Sequence, residues 1–408
     1  MPNREFNRRH MLKALGYGSL AAMSAACGGS PIKFVTPTHS PSATPFPSAQ
    51  PVVNQPLVSD TPEPTFTVEP SATIEPVATH EPTAAAQEAA LFQPASRPNR
   101  IMGMHIPYSF LLGRIDYGWL EQFLIGTGVN SVVIDVKSEG GSVAVPFEHY
   151  LKPSYLNSLN VDFDQVAELV SWLLSHGYYP VARQVVMSDT PFVSANTEVG
   201  YYFYSSSGYS DLSGELWANP ERPEVGDYNA AIAVAAAQMG FQEIQLDYIR
   251  YPESNFEIPL ERRVGAIANI LRTVLAALNQ RALLTIDVLE DSTNFYPEQA
   301  ADGGYGQYLP TLALIVDGIC PMLYPDVYHQ DVDVNYYQKV YDGTARTAQK
   351  IASSGAVCFI NPWIQAYFAA NLARIREQAR GAFDAGSVGV FAWNISLNYP
   401  YGMFDSNL

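Results

Sequence analysis

The chain has 408 residues, a net charge of −17 at pH 7, 47% hydrophobic residues and 12% aromatic ones. That length admits one large domain with appendages or two to three ordinary ones, and the apolar fraction suffices for a substantial core. The acidic balance argues against nucleic-acid partners and against adsorption to anionic membrane surfaces, since both demand Lys and Arg.

Residues 1–27 read as an export signal. Arg8-Arg9 ahead of Met11-Leu12-Lys13 resembles the twin-arginine pattern, and the apolar stretch from Leu15 to Ala26 is too short to span a bilayer. The stretch ends Ser24-Ala25-Ala26-Cys27-Gly28, which resembles a lipobox with Ser24 where such signals prefer Leu. The expectation is lipidation at Cys27, with the chain exported and held on the outer face of the cytoplasmic membrane or on the cell surface. That anchor is its only expected membrane contact.

Residues 28–98 hold fourteen of the chain's 30 Pro, in Thr-Pro, Glu-Pro and Ser-Pro dipeptides such as Thr61-Pro62-Glu63-Pro64. Pro at this density removes backbone donors and blocks helices and sheets. A disordered, polyproline-like spacer is expected, reaching up to roughly 200 Å at ~3.1 Å per residue.

From residue 99 to 408 strand and helix patterns alternate, which predicts a single domain. Strands are predicted at Ile101–Ile106, Ser131–Lys137, Tyr179–Met187, Gln242–Ile249, Ala282–Leu289, Gly318–Tyr324, Ala356–Pro362 and Val388–Asn394. Helices are predicted at Tyr117–Ile125, Val161–Ser175, Asp227–Met239, Leu260–Asn279, Gln307–Val316, Asn335–Ser353 and Asn371–Ala385. Eight such units imply parallel β/α repeats closed into a (β/α)8 TIM barrel. The Tyr-, Ser- and Gly-rich stretch Ser188–Val225 reads as a long loop on the rim. No Gly-x-Gly-x-x-Gly follows the first strand, and the seven His form no metal-ligand spacing, so neither cofactor nor metal is expected. Cys320 and Cys358 lie in apolar runs and read as buried small hydrophobes, with a disulfide as the alternative. A monomer is expected.

Chemistry concentrates at the strand ends. In Glu243-Ile244-Gln245-Leu246-Asp247-Tyr248, apolar and polar residues alternate, which turns Asp247 inward at the end of strand four. Asp135 and Lys137 close strand two on one face, Asp287 closes strand five, and Glu290 follows just beyond. Tyr324 closes strand six with Asp326 after it. Trp363 and Gln365 close strand seven, and Trp393 and Asn394 strand eight. Several acids converging on one mouth repel one another and lose solvation, a cost that packing alone does not explain. Barrel enzymes place their reacting groups at this end. Paired carboxylates serve glycoside hydrolysis, one protonating the departing oxygen and the other facing the anomeric carbon. Tyr251, Tyr324, Trp363 and Trp393 are candidate sugar-stacking rings.

The run 243–252, with Asn130–Lys137, Ile286-Asp287-Val288, Pro321–Pro325 and Pro362-Trp363-Ile364-Gln365, resembles a bacterial family of glycoside hydrolases with TIM-barrel domains. That family is distantly similar to the α-amylase and α-galactosidase barrels, whose nucleophilic Asp ends strand four. The resemblance implies Asp247 as nucleophile and leaves the acid open among Asp287, Glu290 and Asp326. The sequence departs from the pattern at Asn361, where an Arg is expected, and at Ala366, where an acid is expected. Asp247 and Asp287 are the expected catalytic pair. Asp135, Lys137, Arg250, Tyr324, Trp363, Gln365, Trp393 and Asn394 are the expected substrate contacts. The expected function is hydrolysis of an extracellular or cell-envelope polysaccharide. A non-catalytic carbohydrate-binding barrel is the alternative.

Overall fold

The computed structural model describes residues 97–158, 161–201, 216–252, 255–325, 334–367, 371–405 and 408. The expected signal, Cys27 and the linker as far as residue 96 lie outside the described residues, as does Asp326. Arg97, at the end of the expected linker, is already docked on the domain. Its Nε lies 3.7 Å from Glu243 Oε2 and its guanidinium 4.0 Å from the Phe359 ring.

Nine parallel strands form one sheet: β1 (Ile101–Ile106), β2 (Ser131–Lys137), β3 (Tyr179–Val185), β4 (Glu243–Asp247), β5 (Leu283–Leu289), β6 (Gly318–Leu323), β7 (Phe359–Ile360), β8 (Trp363–Gln365) and β9 (Gly389–Trp393). β5 pairs with β6 and β9 with β1, so the sheet closes on itself. β7 and β8 are two pieces of the seventh barrel stave. They are split at Asn361-Pro362, because Pro362 has no N–H to give to the ladder. The result is the expected (β/α)8 barrel.

Helices cover the outside: α1 (Tyr117–Thr127), α2 (Phe163–Ser175), α3 (Thr190–Ala195), α4 (Pro223–Gln238), α5 (Leu260–Leu278), α6 (Leu309–Leu312), α7 (Tyr336–Ser354) and α8 (Leu372–Asp384). Side-chain oxygens of Asp116, Asp162, Asp189, Asn335 and Asn371 cap α1, α2, α3, α7 and α8. α6 is much shorter than the predicted Gln307–Val316. Gln307 is instead buried as a bracket, its amide donating to the Asp287 carbonyl and accepting from Leu289 N–H.

The strand alternation separates two cores. Val132, Ile134, Ala182, Ile244, Leu246, Leu284 and Ile286 pack outward against the helices, while Ile101, Val133, Tyr179, Val181, Cys320, Trp363 and Phe391 fill the barrel. The interior is tight enough that a Cβ on Gly103 would lie 2.5 Å from the Phe391 ring. Cys320 and Cys358 are free thiols, so the disulfide alternative is not formed. Among the described residues no helix is long and apolar enough to cross a membrane.

Candidate active site

Arg183 organises the mouth. It stands on β3, two and four residues past the inward-facing Val181 and Tyr179, so strand alternation sends it into the barrel near the C-terminal end. Its Nη1 donates to Asp135 Oδ1 on β2 at 2.7 Å. Nε and Nη2 donate to Asp247 Oδ2 on β4 at 3.0 and 2.6 Å, and Nη2 also reaches Glu139 Oε1 at 2.9 Å. One guanidinium thus serves three carboxylates with planar, charge-assisted bonds. On β1, His105 Nε2 lies 3.0 Å from Asp135 Oδ1. The His105 ring stacks on Trp393 of β9 at 3.9 Å, and the Arg183 guanidinium lies 4.8 Å from the same indole. Burial pushes the Asp135 carboxyl upward, but His105 and Arg183 together outweigh it and hold the group down at about 2. Burial likewise opposes the Arg183 charge, yet Asp135, Asp247 and Glu139 drive its ionisation well above the ordinary range.

Asp247 has both oxygens engaged. Oδ2 takes the Arg183 bonds, and Oδ1 accepts the backbone N–H of Tyr248 at 2.6 Å. Asp287, on β5, is in the opposite situation and is 1% exposed. Its Oδ1 accepts the indole N–H of Trp363 at 2.7 Å, and its Oδ2 is buried without a hydrogen-bond partner. Burial and then the Asp247 charge push the Asp287 carboxyl well above its ordinary range, and Arg183 and the Trp363 N–H only partly oppose this. Asp287 is therefore the carboxyl whose neutral form its surroundings favour, beside an Asp247 held by a cation. An indole N–H is only a donor, so it claims Oδ1 as an acceptor. The Asp287 proton then resides on Oδ2, the oxygen with nothing bound to it.

The structure brings Asp135, Asp247, Asp287, Trp363 and Trp393 together, with Tyr324 in the same interior cluster. Trp363 and Tyr324 are buried, so their rings are walls rather than open platforms; Trp363 instead supplies its N–H. Tyr251 is fully buried with its hydroxyl on Glu221. Trp393 remains half-buried and is the accessible ring of the set.

Four expected contacts stand elsewhere. Lys137, predicted to share the Asp135 face, does not. A register shift between Asp135 and Lys137 leaves Lys137 opposite Gln184 and turns it out of the lumen. There it binds Asp189 Oδ2 at 2.7 Å, Asn229 Oδ1 at 3.1 Å and the Val186 carbonyl at 3.2 Å. Arg250 does not pair with Asp247; its Nη1 donates to the Tyr251 and Pro252 carbonyls. The Asn394 amide brackets its own loop, donating to the Ala366 and Asn398 carbonyls. Gln365 exchanges backbone bonds with Gln378 of α8, and its amide donates to the Tyr367 carbonyl. Glu290 pairs with Lys339 and Arg346 of α7, so it faces the helix layer rather than the mouth. Among the described residues Asp287 is therefore the acid candidate inside the barrel.

Arg183 and His105 are absent from the expected site, although alternation from Tyr179 and Val181 points to the first and from Ile101 and Gly103 to the second. Among the described residues no group of three or more His, Cys, Asp or Glu stands close enough to hold a metal ion. A cavity of about 620 Å³ on the outer wall, lined by Phe147, Asp227, Val234 and Thr273, contains none of the mouth carboxylates.

No curated protein sequence matches the chain. Among solved structures, the glycoside hydrolase domain of PgaB (BpsB) from Bordetella bronchiseptica is similar at 12% identity and a TM-score of 0.52, over 73% of this chain and 94% of that one. The catalytic domain of β-amylase from Paenibacillus polymyxa is similar at 11% identity and a TM-score of 0.51, over 75% and 96%. At these identities the likeness establishes the barrel fold. The family described as "Putative glycosyl hydrolase domain" matches residues 120–399, a span that runs from α1 past β9 and includes Asp135, Arg183, Asp247 and Asp287. The chain belongs to that glycosyl hydrolase family.

Proposed function

We propose that the barrel hydrolyses an extracellular or cell-envelope polysaccharide, with Asp287 as general acid and Asp247 as the charged carboxylate facing the anomeric carbon. One observation carries this reading. Asp287 is buried beside Asp247, with one oxygen committed to the Trp363 indole and the other unpartnered. Such a carboxyl presents a proton from Oδ2 to the departing glycosidic oxygen. Asp247, clamped by Arg183 on Oδ2, offers Oδ1 to the positive charge that develops at the sugar. Asp135, itself beside His105, fixes Arg183 from the far side. The sequence at Arg8-Arg9 and Ser24–Gly28 supports export and lipidation at Cys27, with 28–98 as the spacer to the cell surface.

The test compares a polysaccharide the wild type cleaves with an aryl glycoside of the same sugar, whose leaving group needs no proton. Asp287→Asn is expected to lose about 10²- to 10⁴-fold in kcat on the polysaccharide and far less on the aryl glycoside. Asp247→Asn is expected to lose activity on both. Equal losses for Asp287→Asn on the two substrates would remove it from the acid's role.

A further inference from the structure

Tyr248 has a backbone conformation that its residue type does not favour. Its φ is +53°, in the left-handed region that L residues with side chains seldom occupy. It directly follows Asp247, and the twist turns the Tyr248 N–H back onto Asp247 Oδ1 at 2.6 Å. The surroundings hold the twist in place. The Tyr248 carbonyl still accepts from Met187 N–H at 3.4 Å, so the strand cannot simply peel away there. Arg250, two residues on, is 9% exposed and caged by rings. Its guanidinium lies 4.8 Å from Trp217, 5.1 Å from Tyr248 and 5.8 Å from Tyr305. Its Nη1 also ties down the Tyr251 and Pro252 carbonyls at 2.9 Å each. Strained backbone persists where its surroundings over-determine it, and such places cluster at functional sites.

We infer that Arg250 is a positioning residue for Asp247. It acts through the caged ring of Tyr248 to hold the left-handed turn that seats the Tyr248 N–H on Asp247 Oδ1. The inference rests on the reading of Asp247 as the reacting carboxylate, and it explains why a cation so near never touches that carboxylate. Arg183 fixes Oδ2 from β3, and the turn fixes Oδ1 from β4 itself. Loss of either leaves the carboxylate free to rotate about its last bond.

Glycine adopts this backbone conformation without support. The turn in Tyr248→Gly should therefore no longer depend on Arg250, and this makes a double-mutant cycle decisive. In the full chain, Arg250→Met is expected to lower kcat by about tenfold or more with KM changed by less than about twofold, the pattern of lost transition-state alignment. In the Tyr248→Gly background the same change should cost less than about threefold. Equal costs in both backgrounds would overturn the inference. If Arg250→Met does not fold, Arg250→Lys carries the same comparison, since Lys keeps the charge but not the planar stacking.

A second arm reads geometry without catalysis. With tyrosines labelled with ¹⁵N, the Tyr248 amide proton should resonate well downfield and move upfield in both Asp247→Asn and Arg250→Met. An amide that ignores Arg250→Met would also overturn the inference. If the wild type cleaves no glycan, the hydrolase reading fails, yet this arm still decides whether Arg250 sets the turn.

Discussion

Arg183→Met tests the mouth most directly, because one guanidinium carries so many of its contacts. The substitution keeps most of the stem and removes every bond to Asp135, Asp247 and Glu139. Asp135 and Asp247 have side chains only 2% and 6% exposed, so water does not replace the lost cation. Leaving a buried charge without its partner costs about 3–5 kcal/mol at neutral pH. The pH dependence supplies the sharper check. In the wild type the Asp135 carboxyl is depressed to about 2. Its contribution, on the order of 2 kcal/mol, is full above the unfolded value near 3.9 and fades as pH falls toward 2. In the variant His105 alone opposes burial at Asp135, so that carboxyl moves up from its wild-type value. The stability it lends at neutral pH shrinks with its depression, and at low pH neither protein has that contribution. The gap between the two proteins should be widest near neutral pH and narrow clearly by about pH 4.5. Urea unfolding followed by Trp fluorescence at both pH values measures it. Adding Asp135→Asn to Arg183→Met should recover part of the loss, because a buried charge then held by His105 alone disappears. A gap below about 1 kcal/mol at neutral pH, or one indifferent to pH, would mean that the ion pairs do not hold the mouth together.

Trp363→Phe removes the indole donor to Asp287 Oδ1 while keeping an aromatic ring in place. The lost N–H favoured the ionised form, so the alkaline limb of the kcat/KM profile should move to higher pH while kcat falls; a limb that stays put in the pH–rate profile contradicts this. Lys137→Met strands Asp189 with Phe192 N–H as its remaining donor, and urea unfolding should show a loss of about 3–5 kcal/mol at neutral pH. Cys27→Ser should shift the full chain from the membrane fraction to the soluble fraction on cell fractionation. Retention on membranes would refute the lipobox reading.

The barrel was legible because its signal is repeated. Eight strands, seven of them followed by a helix pattern, repeat the same signal, and an error in one does not disturb the rest. The inward placement of strand-end residues was legible wherever alternation is regular, at Asp135, Asp247 and Asp287. It failed at Lys137 because a single-residue register shift reverses a strand's faces, and nothing in Asp135-Val136-Lys137 announces the shift. Arg183 was missed for a different reason. On β3 the same alternation places a cation inside the barrel, and only its carboxylate partners on β2 and β4 make that burial favourable. Sequence also could not separate Asp287 from Glu290, since they stand three residues apart at the end of β5. The separation comes from α7, which supplies Lys339 and Arg346 to Glu290 from a point nearly fifty residues downstream.

The two carboxyls of the mouth are of one chemical type, and their surroundings differ. Asp247 has three donor contacts, two of them from a cation. Asp287 has one neutral donor and a negative neighbour, and it sits deeper, so the neutral form is favoured. Each condition reinforces the other. The charge on Asp247 helps keep the proton on Asp287, and a neutral Asp287 spares Asp247 the repulsion of a second anion. Glycoside hydrolysis needs that same division between a proton donor and a stabilising charge. The asymmetry has a local source in the fold: an Arg projects inward from β3 beside Asp247, and a Trp projects inward from β8 toward Asp287. Exchanging those two neighbours, rather than the carboxyls themselves, is what would exchange their roles.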